Sequence, residues 1–273
     1  RDYYASRGLG DVYKRQILPD VRNPENYTEA LICQNYGWIE YNLEKHEKGE
    51  DYIKRALHFY EQKKMTASDE CILAQYNLSL IYTEKNDYES ALPLLVDLYN
   101  SIGRIQGEDY TVRAHISTGI ITGLLLLDKA QQAYDFANAE DENFADLYGK
   151  ESIERIDYLQ KTAGAFKFCG HIEAFEFLEK SRKLIKKARL ENSVWQASQD
   201  NYVGVVFLDL ENDAQTAQIY FESAKALLEN LSQQDTPLYS FVESNLQQAK
   251  DKIMDELIKR MAQTLIDEEG ENK

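Results

Sequence analysis

Apolar positions along this chain recur at three- and four-residue steps in short runs separated by turn-forming clusters, and residues 75–99 show the pattern most clearly. Two amphipathic runs, 77–84 and 88–99, flank the turn-prone Lys85-Asn86-Asp87, which predicts a helical hairpin. On the first helix Leu78, Ser79 and Tyr82 share a face; on the second Tyr88, Ala91, Leu95 and Leu98 do. Ser79 and Ala91 are small. A large side chain would hold two crossing helices apart, so one small residue on each inward face marks the crossing point.

The pattern repeats. Steps of 42 residues from Ala91 reach Gly49, Ala133, the Ala174-Phe175 pair and Ala217. On the first helices the partner position reads Gly37, Ser79, Ile121, Ala163 and Gly204, with an aromatic three residues on at Tyr82, Phe166 and Phe207. Three repeats depart from the rule: Glu40-Tyr41 stands where one aromatic is expected, Ile121 replaces a small residue, and repeat 4 is one residue short near Cys169-Gly170. One hairpin cannot bury its own apolar face, so the repeats must stack.

Tyr82, Tyr88, Ala91 and Leu95 fall at positions that make the chain resemble a tetratricopeptide repeat (TPR) protein, and Ala91-Leu92-Pro93-Leu94 is similar to the variant found in kinesin-light-chain-like members. Pro93 is expected in the early part of its helix, where few amide donors are lost. The resemblance implies an all-α fold: a right-handed α-solenoid of about five TPR-like hairpins over residues 17–234, closed by a long C-terminal capping helix over 235–267. In such arrays the first helices line a concave groove. Carried over position by position, the resemblance nominates Gln34, Trp38, Tyr41, Tyr76, Leu80, Thr83, Thr118, Thr122, Gln160, Lys167 and Asn201 as the ligand groove. Arrays that clamp a C-terminal carboxylate use clustered Lys, Arg and Asn; Asn35 and Asn77 are present, but Lys167 is the sole cation in the set, which disfavours that reading.

Residues 1–16 stand outside the repeat and resemble the translated product of a sequencing adapter, so they are expected to be a non-native lead-in, with the true N-terminus missing. Residues 101–103, 106–109 and 141–143 are expected to be loops. Thr236-Pro237 predicts a helix start, since Thr caps well and Pro suits the first helical position. Leu238, Phe241, Val242, Leu246, Ala249, Ile253, Leu257, Met261 and Leu265 carry that helix to about residue 266, and its surplus length offers a homodimer contact. Residues 268–273 are expected to form a disordered acidic tail.

Charge narrows the function. A formal net charge of −16 argues against direct nucleic-acid binding by this segment. Lys180, Arg182, Lys183, Lys186, Lys187 and Arg189 form the exception, a candidate patch for an anionic partner or a solvated helix face. No run of apolar residues reaches the length of a membrane span. Cys33, Cys71 and Cys169 form no C-x-x-C pair, the four histidines form no metal-binding spacing, and phosphate-loop motifs are absent, so no metal and no cofactor is expected. Cys169-Gly170-His171 has no third orienting group and is not expected to be catalytic. The resulting expectation is a cytoplasmic, non-enzymatic scaffold that binds a protein or peptide in a TPR groove. The alternative is the peptide-sensing C-terminal domain of a bacterial helix-turn-helix regulator whose DNA-binding domain lies upstream; an enzyme pairing repeats with an upstream bundle is a third reading.

Overall fold

Small side chains let the two helices of the first hairpin approach until their backbones touch. In the computed structural model, a Cβ added to Gly37 would sit 2.8 Å from the carbonyl oxygen of Gly49, and one added to Gly49 would sit 2.9 Å from that of Gly37. The predicted crossing point of repeat 1 is therefore a backbone contact. In repeat 5, Gly204 makes room for the ring of Phe221, which would lie 2.5 Å from a new Cβ.

The structure describes residues 23–102 and 110–271, with side chains at 23–101 and 110–264. The expected lead-in 1–16, residues 103–109 of the expected loops, the Leu265 side chain and residues 272–273 lie outside that description. Among the described residues there are eleven helices and no strand. They are α1 (Tyr27–Asn42), α2 (His46–Gln62), α3 (Asp69–Glu84), α4 (Tyr88–Ile102), α5 (Tyr110–Leu126), α6 (Ala130–Tyr148), α7 (Ile153–Phe168), α8 (Ala174–Lys187), α9 (Val194–Asp209), α10 (Ala214–Asn230) and α11 (Pro237–Glu271). The chain divides into two compact units, the first ending at Asp128 and the second beginning at Lys129.

The first unit holds hairpins α1–α2 and α3–α4 with α5 packed on α4. Leu78, Ser79, Tyr82, Ala91, Leu95 and Leu98 are buried as their spacing predicts. Gly119 and Gly123 let α5 lie close on Leu95, Tyr88 and Leu92 of α4. Pro93 sits deeper than expected. It is the sixth residue of α4, past the first turn, so one helical hydrogen bond is lost; its exposed position lets the ring point to water.

The second unit holds α6, hairpins α7–α8 and α9–α10, and α11. Its core is aromatic: Phe144 stacks on Tyr158 at 4.5 Å and Phe166 on Phe177 at 5.1 Å between ring centroids. Residues 141–143, expected as loop, lie inside α6. Their acids are not solvating a loop. Asp141 is buried and takes a two-pronged contact from Arg155 of α7, at 2.6 Å from Nε and 3.0 Å from Nη2.

Turns carry the period more strictly than helices do. Glu44, Asn86, Asp128, Gly170 and Asn212 each stand 42 residues after the last, and all five have a left-handed backbone. They follow the first helix of each repeat, where the amide three residues past the helix bonds back into the last turn: Lys45 to the Glu40 carbonyl at 2.9 Å, Asp87 to Tyr82 at 2.9 Å, His171 to Phe166 at 2.9 Å. From that residue to the small buried residue of the second helix is five positions in every repeat but the fourth, where Gly170 to Ala174 is four. The missing residue of repeat 4 is thus in this turn. First helices start on polar caps: Asn26, Ser68, Ser152, Ser193 and Thr236 each accept an amide two or three residues on.

α11 begins as predicted but continues to Glu271, through four residues expected in the disordered tail. Once a helix is nucleated, Glu-rich sequence extends it at little cost.

Candidate functional site

Eleven residues were nominated for the groove, and the structure separates them by burial and partner. Gln34 and Gln160 do not face a ligand. Gln34 is 4% exposed and accepts the hydroxyl of Tyr60 at 2.9 Å. Gln160 is 1% exposed; it accepts from Ser198 Oγ at 2.8 Å and donates to the Trp195 carbonyl at 3.2 Å and Gln199 Oε1 at 3.3 Å. The resemblance nominated these two for the groove; here both are buried and bonded to a neighbouring helix. Asn77 is buried as well.

In the first unit, Trp38, Tyr41, Tyr76, Leu80, Thr83, Thr118 and Thr122 remain exposed or half-buried. Trp38 stacks on Tyr41 at 5.0 Å, and the Tyr41 hydroxyl donates to Glu84 Oε1 at 2.6 Å. Burial, then the Glu84 carboxylate, raises the Tyr41 phenol well above the usual range, so it stays a neutral donor. Tyr76 meets His115 edge-on at 5.9 Å. The hydroxyls of Thr83, Thr118 and Thr122 bond to backbone carbonyls of their own helices.

The second unit has an open cavity of about 410 Å³ between α7, α9 and α11. Lys167 and Asn201, two of the nominated residues, line it. Gly164 lets Tyr202 lie against α7, since a Cβ there would be 3.1 Å from the ring. Tyr202 makes the floor, its phenol pushed up to about 12 by burial and then by Asp157. Phe168 and Phe241 stand at the rim, 64% and 63% exposed. Amides complete it: Asn245 Nδ2 donates to Asn201 Oδ1 at 2.9 Å, leaving each side chain with unspent capacity. Lys167 pairs with Asp209 at 2.5 Å. The groove is therefore apolar at the lips, amide-lined and close to neutral.

The nominated set left out Phe168 and Tyr202 of α7 and α9, and it left out Phe241 and Asn245 because α11 was read as a capping helix whose surplus length offers a homodimer contact. That helix also occupies the place of a sixth first helix. Phe241, counted in the sequence among the periodic apolar positions of this helix, is exposed while Val242, Leu246 and Ala249 are buried.

Half of the basic patch is used internally. Lys180 reaches Glu176 at 3.0 Å and Asn138 at 2.5 Å, Arg182 grips Glu179 at 2.8 and 2.9 Å, and Lys183 lies 3.6 Å from Glu179. Lys186, Lys187 and Arg189 are exposed. Burial pushes the Cys169 thiol up, the opposite of what a nucleophile needs, and His171 Nδ1 lies 3.7 Å from Glu173. Among the described residues no three His, Cys, Asp or Glu side chains are grouped to hold a metal, and no helix is long and apolar enough to cross a membrane.

No protein-family model matches the sequence, and no curated protein sequence does. Solved structures do match. Nearly identical TPR-like repeats of a candidate kinesin light chain from Podosopora anserina superpose on 76% of this chain and 99% of their own, at 13% identity and a TM-score of 0.56. A singly substituted form of the same repeats gives 77%, 99%, 13% and 0.57. At that identity the likeness shows the fold, which is that of a TPR-like α-solenoid.

Proposed function

We propose that the chain is a non-catalytic scaffold, and that the groove of its second unit binds an extended peptide segment of a partner protein. The observation that carries this reading is that exposed Phe168 and Phe241 both line a cavity that Tyr202 also lines and whose wall offers the Asn201–Asn245 amides. Exposed aromatics at the rim of one cavity, with amides in its wall, suit a ligand that has apolar side chains and a backbone in need of hydrogen bonds. A near-neutral lining sets no demand for a charged terminus. Trp38, Tyr41 and Tyr76 give the first unit a comparable face, which extends the same reading to a second contact region.

Selection of phage-displayed random dodecapeptides on the full chain tests it. Enriched peptides are expected to carry two or more apolar side chains, and Phe168→Ala with Phe241→Ala is expected to weaken them more than tenfold with an unchanged circular dichroism spectrum. Peptides that bind the double variant as well as the parent would overturn the assignment, as would a selection that enriches nothing.

A further inference from the structure

The aromatic face of the first unit carries a carboxylate that is held in place yet has no lysine or arginine against it. Tyr41, near the end of α1, stacks on Trp38 at 5.0 Å and donates its hydroxyl to Glu84 Oε1 at 2.6 Å. One side chain thus extends the ring stack and fixes the acid beside it. His46, which opens α2, meets the Tyr41 ring edge-on at 5.5 Å and sets Nδ1 3.5 Å from Glu84 Oε2. Held at both oxygens, the Glu84 side chain is still 52% exposed, and Trp38 is 37% exposed. The lysines beside this site in sequence turn elsewhere: Lys85 bonds to Glu50 at 2.7 Å, and Lys45 lies 3.9 Å from Glu40. Among the described residues His46 is the one basic side chain within 4 Å of Glu84, and it is a cation only if protonated.

We propose that Trp38, Tyr41 and Glu84 form a subsite for an arginine side chain of a peptide ligand, whose guanidinium lies on the exposed rings and donates to the unused lone pairs of Glu84. Two chemical demands meet there, a π face and a carboxylate, and they select the occupant. An apolar side chain would take water from the carboxylate and return no hydrogen bond. An ammonium answers the charge as a point. A guanidinium is planar, so it stacks on an aromatic face and offers paired N–H donors along its edge to a carboxylate. The net charge of −16 draws a cationic ligand from a distance as well. The subsite gives the second contact region its chemistry and rests on that part of the proposed function alone, since all of its residues belong to the first unit.

Titration of the full chain with N-acetylarginine amide, at pH 8 and constant ionic strength, tests the proposal through tryptophan fluorescence. The response is expected to saturate with a dissociation constant on the order of 10 mM, and Trp38→Phe is expected to abolish it, Trp195 being the other indole. N-acetylcitrulline amide, a neutral isostere, and N-acetylphenylalanine amide are each expected to bind more weakly by about fivefold or more. Glu84→Gln keeps an acceptor for Tyr41 and removes the charge; it is expected to weaken the arginine probe to the same degree with unchanged helix content. Phe168→Ala with Phe241→Ala is expected to leave the titration as it is, which separates a failure of this subsite from a failure of the second-unit groove. A response that does not saturate, a citrulline or phenylalanine probe that binds as tightly as arginine, a Glu84→Gln protein that binds like the parent, or a response that survives Trp38→Phe or is lost in the Phe168/Phe241 variant would each overturn it.

Discussion

One substitution, glycine to alanine, should change sign between two helices of this protein. Alanine favours a helix over glycine by about 0.8–1 kcal/mol, so the change is stabilising wherever the new methyl fits. At Gly37 it does not fit. The methyl would lie 2.4 Å from Ile53 Cγ1 and 2.8 Å from the Gly49 carbonyl oxygen. The side chain can swing aside, but the carbonyl belongs to α2 and moves only with it. Restoring van der Waals contact requires α1 and α2 to part by roughly half an ångström across a closely packed face, which costs about 2–3 kcal/mol as overpacking. The net expectation is a loss of about 1–2 kcal/mol. At Gly123 the nearest atoms would be Tyr88 Cδ1 at 3.4 Å and Leu92 Cδ1 at 3.5 Å, ordinary contacts. There the net expectation is a gain of up to about 1 kcal/mol. Thermal melts followed by circular dichroism should show Gly37→Ala lowering the first transition by several degrees and Gly123→Ala raising it by about 2–4 °C. A Gly37→Ala protein that melts at or above the parent would refute the backbone crossing.

Asp128 has a left-handed backbone that glycine adopts without strain, so Asp128→Gly should stabilise by about 0.5–1 kcal/mol, while Gly170→Ala, with open space around it, should lose about 1 kcal/mol from conformation alone; urea midpoints measure both. Burial raises the Asp200 carboxyl above its ordinary value, against the lowering effect of Ser223 and Gln196. The unfolded chain therefore gives up this proton first as pH rises, and stability from this group falls through that window and stays lost above it. Asp200→Asn should then gain on the parent as pH rises past the ordinary carboxylate range, and a difference that shrinks with rising pH would contradict it. Arg155→Met strands the buried Asp141 carboxylate and should cost about 3 kcal/mol, with Arg155→Met/Asp141→Leu milder than the single change, as a double-mutant cycle in urea would read.

Legibility in the sequence followed from how local each signal is. The hairpins, their small crossing residues and the Thr236-Pro237 start are set by neighbours three or four apart, and spacing exposes them. Repeat 4's missing residue was visible for the same reason, because one turn is a local count. Gln34 and Gln160 were nominated by carry-over from family positions, which does not say whether another helix of this chain covers them. Residues 141–143 look like a solvated loop until Arg155 is brought beside Asp141. The floor and rim of the groove come from α7, α9 and α11 together, and no stretch of the chain contains all three.

The tyrosine–carboxylate bonds run between equivalent places one repeat apart: Tyr27 to Glu70 at 2.7 Å, Tyr41 to Glu84 at 2.6 Å, Tyr134 to Glu176 at 2.8 Å. Each therefore fastens a hairpin only to its neighbour, as rungs fasten a rope ladder. Pulled from its ends in an optical trap, the chain should lengthen in a sawtooth of modest steps, each releasing one 42-residue rung, or roughly 140–150 Å of contour. Nothing in this wiring asks the far rungs to let go together.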